Sequence, residues 1–228
     1  KQLPIRNEVT LFPINKPDQV NWLTPEDVVI IQECHKNIKS YDCNVPSIKI
    51  WHQHLLQEWP GRGKTFGFPI FELDRFTSQE IRSLNTCDEL IVCSHWAKSI
   101  AEKYVDMPVH VVPLGVDRSI IYPQPVRSEN YVFLGAGKWE VRKGHDVLIE
   151  CFKKAFPDEQ DVELWLLTSN PFLTEEEKVV WENMAKLDPR IKILPKVQTQ
   201  HDVARIMNRA SCGVFLSRAD GWNLELLE

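Results

Sequence analysis

The stretch VFLGAGKWEVRKGHDVLIECFKKAF, residues 132–156, reads as one complete strand–turn–helix unit. An apolar run at 131–135 predicts a buried strand. Gly135 and Gly137 predict a tight turn at its end, and apolar residues spaced three and four apart over 144–156 predict a helix. Three readings of the turn compete. A dinucleotide fingerprint needs a third glycine where Glu140 stands, and a Walker A loop needs Gly at Val132 and Ser or Thr at Trp139, so both fail. The third is an anion site, in which turn amides, a helix start, Lys138 and Lys143 converge. A solvated basic helix start gives the same pattern, and both readings stay open at this point.

Working outward, short apolar runs alternate with helical segments. Strands are expected at 8–13, 47–52, 66–72, 88–94 and 109–112, then at 131–135, 162–168, 191–195 and 212–217. Helices are expected at 24–36, from Thr77, at 95–105, 144–156, 174–187, 201–209 and 223–228. Thr24 reads as a helix cap ahead of Pro25, and Thr77 and Glu80 have capping-box spacing. Continuous apolar strands between helices mean parallel sheets covered on both faces, an α/β class. The segment 121–130, IYPQPVRSEN, has two prolines and little periodicity and reads as a linker. Two Rossmann-like domains are therefore expected, 1–123 and 124–228, with parallel sheets facing a central cleft and ligands at the carboxyl ends of the strands.

Composition narrows the function. Of 228 residues, 43% are hydrophobic and 26% charged, as in an ordinary globular protein. The net charge is −5, without the basic excess of a nucleic-acid binder. No apolar run approaches the roughly 18 residues of a membrane span. The opening KQLPIRNEVT has no signal-peptide core. The six cysteines, at 34, 43, 87, 93, 151 and 212, form no Cys-x-x-Cys pair and no zinc spacing, so buried thiols in a reducing, cytoplasmic setting are expected.

The stretch SRADGWNLELLE, residues 217–228, follows the last expected strand. Asp220 would sit at a strand end, Gly221 permits a turn with exposed amides, and a helix from Asn223 would place Glu228 about two turns beyond Asp220. Such carboxylates suit ribose hydroxyls, since an ionised carboxylate accepts hydroxyl hydrogens. An N-capping Asp with a surface Glu is the plainer alternative. Glu225 reads as solvent-facing. On the other side of the chain, His52-x-His54 and Glu72 follow apolar strands. The histidines could position acceptor hydroxyls, hold a metal with further ligands, or be a plain surface pair. His95, His110, His145 and His201 read as structural.

Three segments together resemble a known family, the GT-B fold retaining glycosyltransferases of family 4, also called glycosyl transferases group 1. VHVVPLGVDRSIIYP (109–123) is similar to its interdomain segment, 132–156 to its basic Gly–Lys/Arg signature, and 217–228 to its Glu-x7-Glu motif. The DGWNL form also resembles the trehalose-phosphate synthase group. The resemblance covers roughly residues 66–228. It implies that Lys138 and Lys143 contact the donor diphosphate and that Asp220 lies near the donor sugar. Gly137 and the amides of Gly221, Trp222, Asn223 and Leu224 would contact sugar and phosphates. Glu228 would bind ribose, and Lys196 and Val197 would lie beside the base. Asp220, Lys143 and Lys138 are thus the implied catalytic residues, with His52, His54 and Glu72 on the acceptor side. The family implies a retaining, metal-independent enzyme without cofactor, taking a UDP- or GDP-sugar and a glycan, lipid or protein acceptor. Its members have a further strand unit before Lys1 and further helices after Glu228, so a truncated chain is expected. A non-catalytic GT-B-like binding protein or assembly partner is the rival expectation.

Overall fold

The computed structural model describes residues 9–14, 23, 25–126 and 128–228. It divides into two compact units, Lys1–Gly115 and Val116–Glu228. The division falls ahead of the proline-containing segment in which the sequence reading puts the boundary.

In the first unit, helix α1 (Pro25–Lys36) precedes strands β1 (Ser47–Trp51) and β2 (Thr65–Pro69). Then come α2 (Ser78–Leu84), β3 (Glu89–Val92), α3 (His95–Ala101) and β4 (Val109–Val111). All described strand pairs are parallel, in the order β1-β2-β3-β4. Leu90, Val92 and Val109 pack with Leu84, Ala97, Ile100 and Ala101 on one side of the sheet. Thr77 caps α2 as expected: its hydroxyl accepts from the Glu80 N–H, and the Glu80 carboxylate accepts from the Thr77 N–H at 2.7 Å. The expected cap Thr24 lies outside the described residues, and α3 ends four residues short of the expected 105.

One expected strand does not form. Residues 9–13 are not a strand, because their backbone is bonded to the end of α1 instead. The Leu11 N–H donates to the Cys34 carbonyl and the Asn37 amide donates to the Val9 carbonyl.

In the second unit, β5 (Tyr131–Ala136) leads through a short 3-10 turn (Val141–Lys143) into α4 (His145–Ala155). Strand β6 (Val162–Leu167), α5 (Glu175–Lys186), β7 (Ile191–Ile193), α6 (Gln200–Arg209), β8 (Cys212–Gly213) and α7 (Leu224–Leu227) follow. The strands are again parallel, but their order is β7-β6-β5-β8. Residues of β5 alternate between two cores. Phe133 packs with Leu148, Ile149 and Phe152 of α4, whereas Val132 and Leu134 pack with Trp165 and, from α6, Ile206 and Met207. This period of two is what a strand covered on both faces produces. Strand β8 is much shorter than the expected 212–217. Beyond Val214 the chain leaves β5, and the Arg218 N–H donates to the Arg142 carbonyl at 2.8 Å.

All six cysteines are free thiols. Cys34, Cys87 and Cys93 are buried as expected, Cys43 and Cys212 only partly, and Cys151 is exposed on α4, which corrects the expectation for those three. Burial pushes the Cys87 thiol up to about 11. Among the described residues, no helix is long and apolar enough to cross a membrane, and no three His, Cys, Asp or Glu side chains cluster as metal ligands.

Candidate functional site

The strand order of the second unit reverses between β5 and β8. Counting within the unit, the chain lays its strands 3-2-1-4. The loops leaving the first and fourth strands therefore lie side by side at the carboxyl edge, at the reversal point where open α/β sheets place their ligands. The loop after β5 holds Gly137 to Gly144, and the loop after β8 holds Ser217 to Asn223. Sequence features singled out for chemistry thus flank the reversal point from both sides.

Two glycines make this turn possible. Gly137 has φ +114°, a conformation L side chains rarely adopt, and its N–H donates to the Leu167 carbonyl. A Cβ there would lie 3.3 Å from both the Glu225 Oε1 and the Lys143 Cε. Gly144 has φ +73° and precedes α4, and a Cβ on it would run into the Leu216 carbonyl. The loop after β8 can press onto the start of α4 because no side chain intervenes. Bidentate bonds from Arg218 to Asp146, at 2.9 and 2.7 Å, fasten the same contact from outside and hold the Asp146 carboxyl below its ordinary value.

Inside lies an ion-pair cluster. Lys143 Nζ donates to Asp220 Oδ2 at 2.8 Å and is 3.7 Å from Glu225 Oε1. The Asp220 Oδ2 also accepts from the Ser217 hydroxyl at 3.1 Å, and its Oδ1 lies 3.3 Å from Arg142 Nη1. Arg142 further donates to the Ala219 carbonyl at 2.9 Å and to Glu140 at 3.1 Å. The Lys143 and Asp220 side chains are only 10% and 15% exposed, so this pair is shielded from solvent far more than a surface ion pair. Two cations face three carboxylates.

Of the residues implied to bind a donor, Gly137, Lys143 and Asp220 are thus brought together, and Gly221 is buried beside them. The Trp222 indole N–H is buried without an acceptor among the described residues. The Asn223 side chain caps α7, accepting from the Leu226 N–H at 3.0 Å, so the helix starts at Leu224 rather than at Asn223. Asp220 precedes that helix, and helical spacing does not relate it to Glu228. The Glu228 carboxyl is pushed up by desolvation and by the charge of Glu225. Lys138 lies outside the cluster: it is exposed, with Nζ 5.3 Å from the centre of the Phe172 ring. Lys196 and Val197 follow β7 at the same edge of the sheet, two strands away from β5.

Sequence reasoning missed three charged members of the cluster, Arg142, Glu140 and Glu225. Glu225 is not solvent-facing as expected but is turned toward Lys143 and Gly137. His145, read as structural, packs as a structural residue. That residue is buried at the start of α4, packed edge-on against Trp139, with Nε2 unpartnered among the described residues. Burial lowers its pKa despite hydrogen bonding to the backbone of Gly137 and Lys138. Thus a neutral imidazole supports the turn from beneath.

In the first unit, His52 and His54 stand just after β1 with stacked rings 5.5 Å apart, and Trp51 packs edge-on against His52. Glu72 follows β2 and is partly buried. All three sit beyond carboxyl ends of strands.

Comparison with known proteins is consistent with this architecture. No curated protein sequence matches the chain. Among solved structures, sucrose-phosphate synthase from Thermosynechococcus elongatus is similar over 88% of this chain and 57% of its own, at 14% identity and TM-score 0.64. A mutant of S. aureus TarM, in complex with fondaparinux, alpha-GlcNAc-glycerol and UDP, is similar over 72% of this chain and 34% of its own, at 12% identity and TM-score 0.57. The pneumococcal O-GlcNAc transferase GtfA, in complex with UDP and GlcNAc, is similar over 72% and 35%, at 11% identity and TM-score 0.55. The chain spans between about a third and just over half the length of these proteins. Its two α/β units have the Rossmann-like fold of GT-B glycosyltransferases, and residues 128–228, the second unit almost entire, match the family model Glycosyl transferases group 1.

Proposed function

We propose that the chain is part of a glycosyltransferase of family 4 that moves a sugar from a nucleotide-sugar donor to an acceptor hydroxyl with retention of configuration. One observation carries the reading: the Gly137 turn and the Asp220 loop meet at the point where the strand order of the second unit reverses. Open α/β sheets bind phosphorylated ligands at such points, and the amides at the start of α4 add partial positive charge there. Loops on adjacent strands are roughly 4.8 Å apart. The edge from β7 to β8 therefore spans about 14 Å, enough for a base, a ribose and a diphosphate laid end to end.

In this reading Lys196 and Val197 lie beside the base, Glu228 takes ribose hydroxyls, and Gly137, Lys138 and Lys143 hold the diphosphate. Asp220 and the amides of Gly221, Trp222, Asn223 and Leu224 contact the sugar and its phosphates. The bond from the anomeric carbon to the phosphate oxygen breaks while the acceptor oxygen attacks from the same face. The acceptor proton passes to the departing phosphate oxygen, and the nucleoside diphosphate leaves. Lys143 and the turn amides stabilise the charge as it develops, which is electrostatic catalysis by preorganised groups. No metal and no cofactor takes part in this scheme. His52, His54 and Glu72 contact the acceptor, a glycan, lipid or protein hydroxyl, and the enzyme works in the cytoplasm on a UDP- or GDP-sugar. UDP in the TarM and GtfA structures supports a uridine donor.

Thermal denaturation against UDP-, GDP- and ADP-sugars tests the reading, because a ligand of the native state raises its melting temperature. A shift with one base, accompanied by slow donor hydrolysis, is the expected outcome. No shift with any donor would sink the reading for this chain. A shift without hydrolysis or transfer favours the rival, a non-catalytic binding protein. The engagement of Lys143 with two carboxylates is the observation on that side.

A further inference from the structure

Lys143 has two carboxylates and they are not equivalent. Asp220 is bonded at 2.8 Å and is itself held by the Ser217 hydroxyl and Arg142. Glu225 lies at 3.7 Å, beyond hydrogen-bond distance, and comes from the next element, α7. Its Oε1 rests against the Gly137 turn, where a Cβ would meet it at 3.3 Å. A carboxylate oxygen thus stands beside both the ammonium and the glycine turn at which a phosphate oxygen is to bind. Arg142 donates to the Ala219 carbonyl and to Glu140 and lies 3.3 Å from Asp220 Oδ1.

Resting on the donor-site reading above, we propose that Glu225 is a displaceable counter-ion of Lys143 that sets the charge preference of the site. Its Oε1 stands where a phosphate oxygen of the donor would lie. When a diphosphate binds, Glu225 swings out and Lys143 keeps Asp220. Any ligand pays for that exchange, and one with a more negative terminal phosphate is repelled most by the displaced carboxylate nearby. A nucleoside diphosphate carries more negative charge on its terminal phosphate than the same diphosphate esterified to a sugar. Glu225 therefore weakens the product more than the substrate and hastens its release. The contact distances favour this role over hydroxyl binding, since the Glu225 carboxylate stands beside the Lys143 ammonium and the Gly137 turn.

The test is calorimetric titration of the wild-type chain, Glu225→Gln and Glu150→Gln with inorganic pyrophosphate, UDP, GDP and the matching UDP- and GDP-glucose. Glu150 is an exposed carboxylate on α4 and controls for net charge. Glu225→Gln is expected to bind pyrophosphate and the nucleoside diphosphate about fivefold more tightly or better. The sugar nucleotide is expected to gain less, and Glu150→Gln to match the wild type. Unchanged or weaker diphosphate binding in Glu225→Gln, while the wild type binds, overturns the counter-ion role and leaves the donor site standing. Loss of sugar-nucleotide binding alone overturns it in favour of hydroxyl recognition. An equal gain in Glu150→Gln overturns it in favour of a net-charge effect. No binding of any probe to any of the three proteins overturns both this role and the donor-site reading.

Discussion

The two units are built from the same parts and differ in one topological choice. In the first, the strands lie in chain order, β1-β2-β3-β4, so each connection steps the same way across the sheet. Right-handed connections that all step one way place their covering elements on one face. The core of this unit accordingly gathers on one side, while Ile48 and Ile50 of β1 remain 62% and 59% exposed. In the second unit the chain lays three strands one way and then returns to the far side of β5 for β8. Its helices are split between the two faces, α4 and α5 against α6, and the loops after β5 and β8 meet at the reversal. The same strand–helix alphabet therefore yields a reversal point in one unit and none among the described strands of the other. The polar cluster of Lys143, Asp220, Arg142 and Glu225 is found where the reversal occurs, while in the first unit His52, His54 and Glu72 stand along an unreversed edge.

The hardest way to break that difference is to stop the two loops from closing on each other. Gly144→Ala forces a left-handed backbone on a residue with a Cβ and drives that Cβ into the Leu216 carbonyl. A cost of about 2–4 kcal/mol is expected in the stability of the second unit, read as a lower midpoint in urea denaturation. Nucleotide binding should be lost with it. A variant as stable as the wild type would mean that the loop after β8 does not need this contact.

Lys143→Ala comes next. It removes the cation between the two loops and leaves Asp220 and Glu225 facing each other. Affinity for a nucleoside diphosphate should drop at least about tenfold, and turnover about a hundredfold or more. Stability should fall as well, because a shielded carboxylate loses its main partner. Lys138→Ala offers the contrast within the same loop. Its ammonium lies over the exposed Phe172 ring, outside the cluster, so it should cost nucleotide affinity much less than Lys143→Ala. Equal losses would show that the loop rearranges around the ligand.

Substitutions in the first unit sharpen the comparison from the other side. His52→Ala and His54→Ala should leave nucleotide affinity within roughly twofold of the wild type, as expected for independent sites. They should raise the acceptor KM once an acceptor is in hand. A large change in nucleotide affinity would place them in the donor site instead.

How much of this was legible beforehand follows the range of the interactions. The βα unit at 131–156 could be read from its residues, because an apolar run, a glycine turn and a helical period are local signals. The capping box at Thr77 was legible for the same reason. The segment at 9–13 has a strand-like pattern, yet its backbone bonds to residues 34 and 37, a competition decided by tertiary contacts that no window of sequence contains. Arg142 and Glu225 escaped notice for a related reason. Arg142 meets Asp220 across 78 residues, and Glu225 is turned by contacts with Lys143 and Gly137, which belong to the loop after β5 and lie in no window of sequence around it.

The smallest effect concerns His145, and it isolates the second unit by pH. The ring is buried and its pKa lies below the ordinary 6.5, mainly through desolvation. In the unfolded chain it takes up a proton near its ordinary value, so the unfolded state binds more protons as pH falls from about 6.5 toward the depressed native value. This contribution to stability is intact above that window and is lost progressively as pH falls through it. The carboxylates held below their ordinary values by hydrogen bonds, Asp146 and Asp188 among them, lose their contribution only in more acidic solution, below about 4. The two windows open at different pH. His145→Gln should therefore flatten the melting temperature as pH falls below about 6.5 while leaving the acid limb below about pH 4 unchanged. Asp146→Asn should do the reverse. Because the His145 ring supports the backbone of Gly137 and Lys138, acidification in the upper window should also weaken nucleotide binding in the wild type more than in His145→Gln. The same slope in both proteins would mean that the turn holds its shape without a neutral imidazole beneath it.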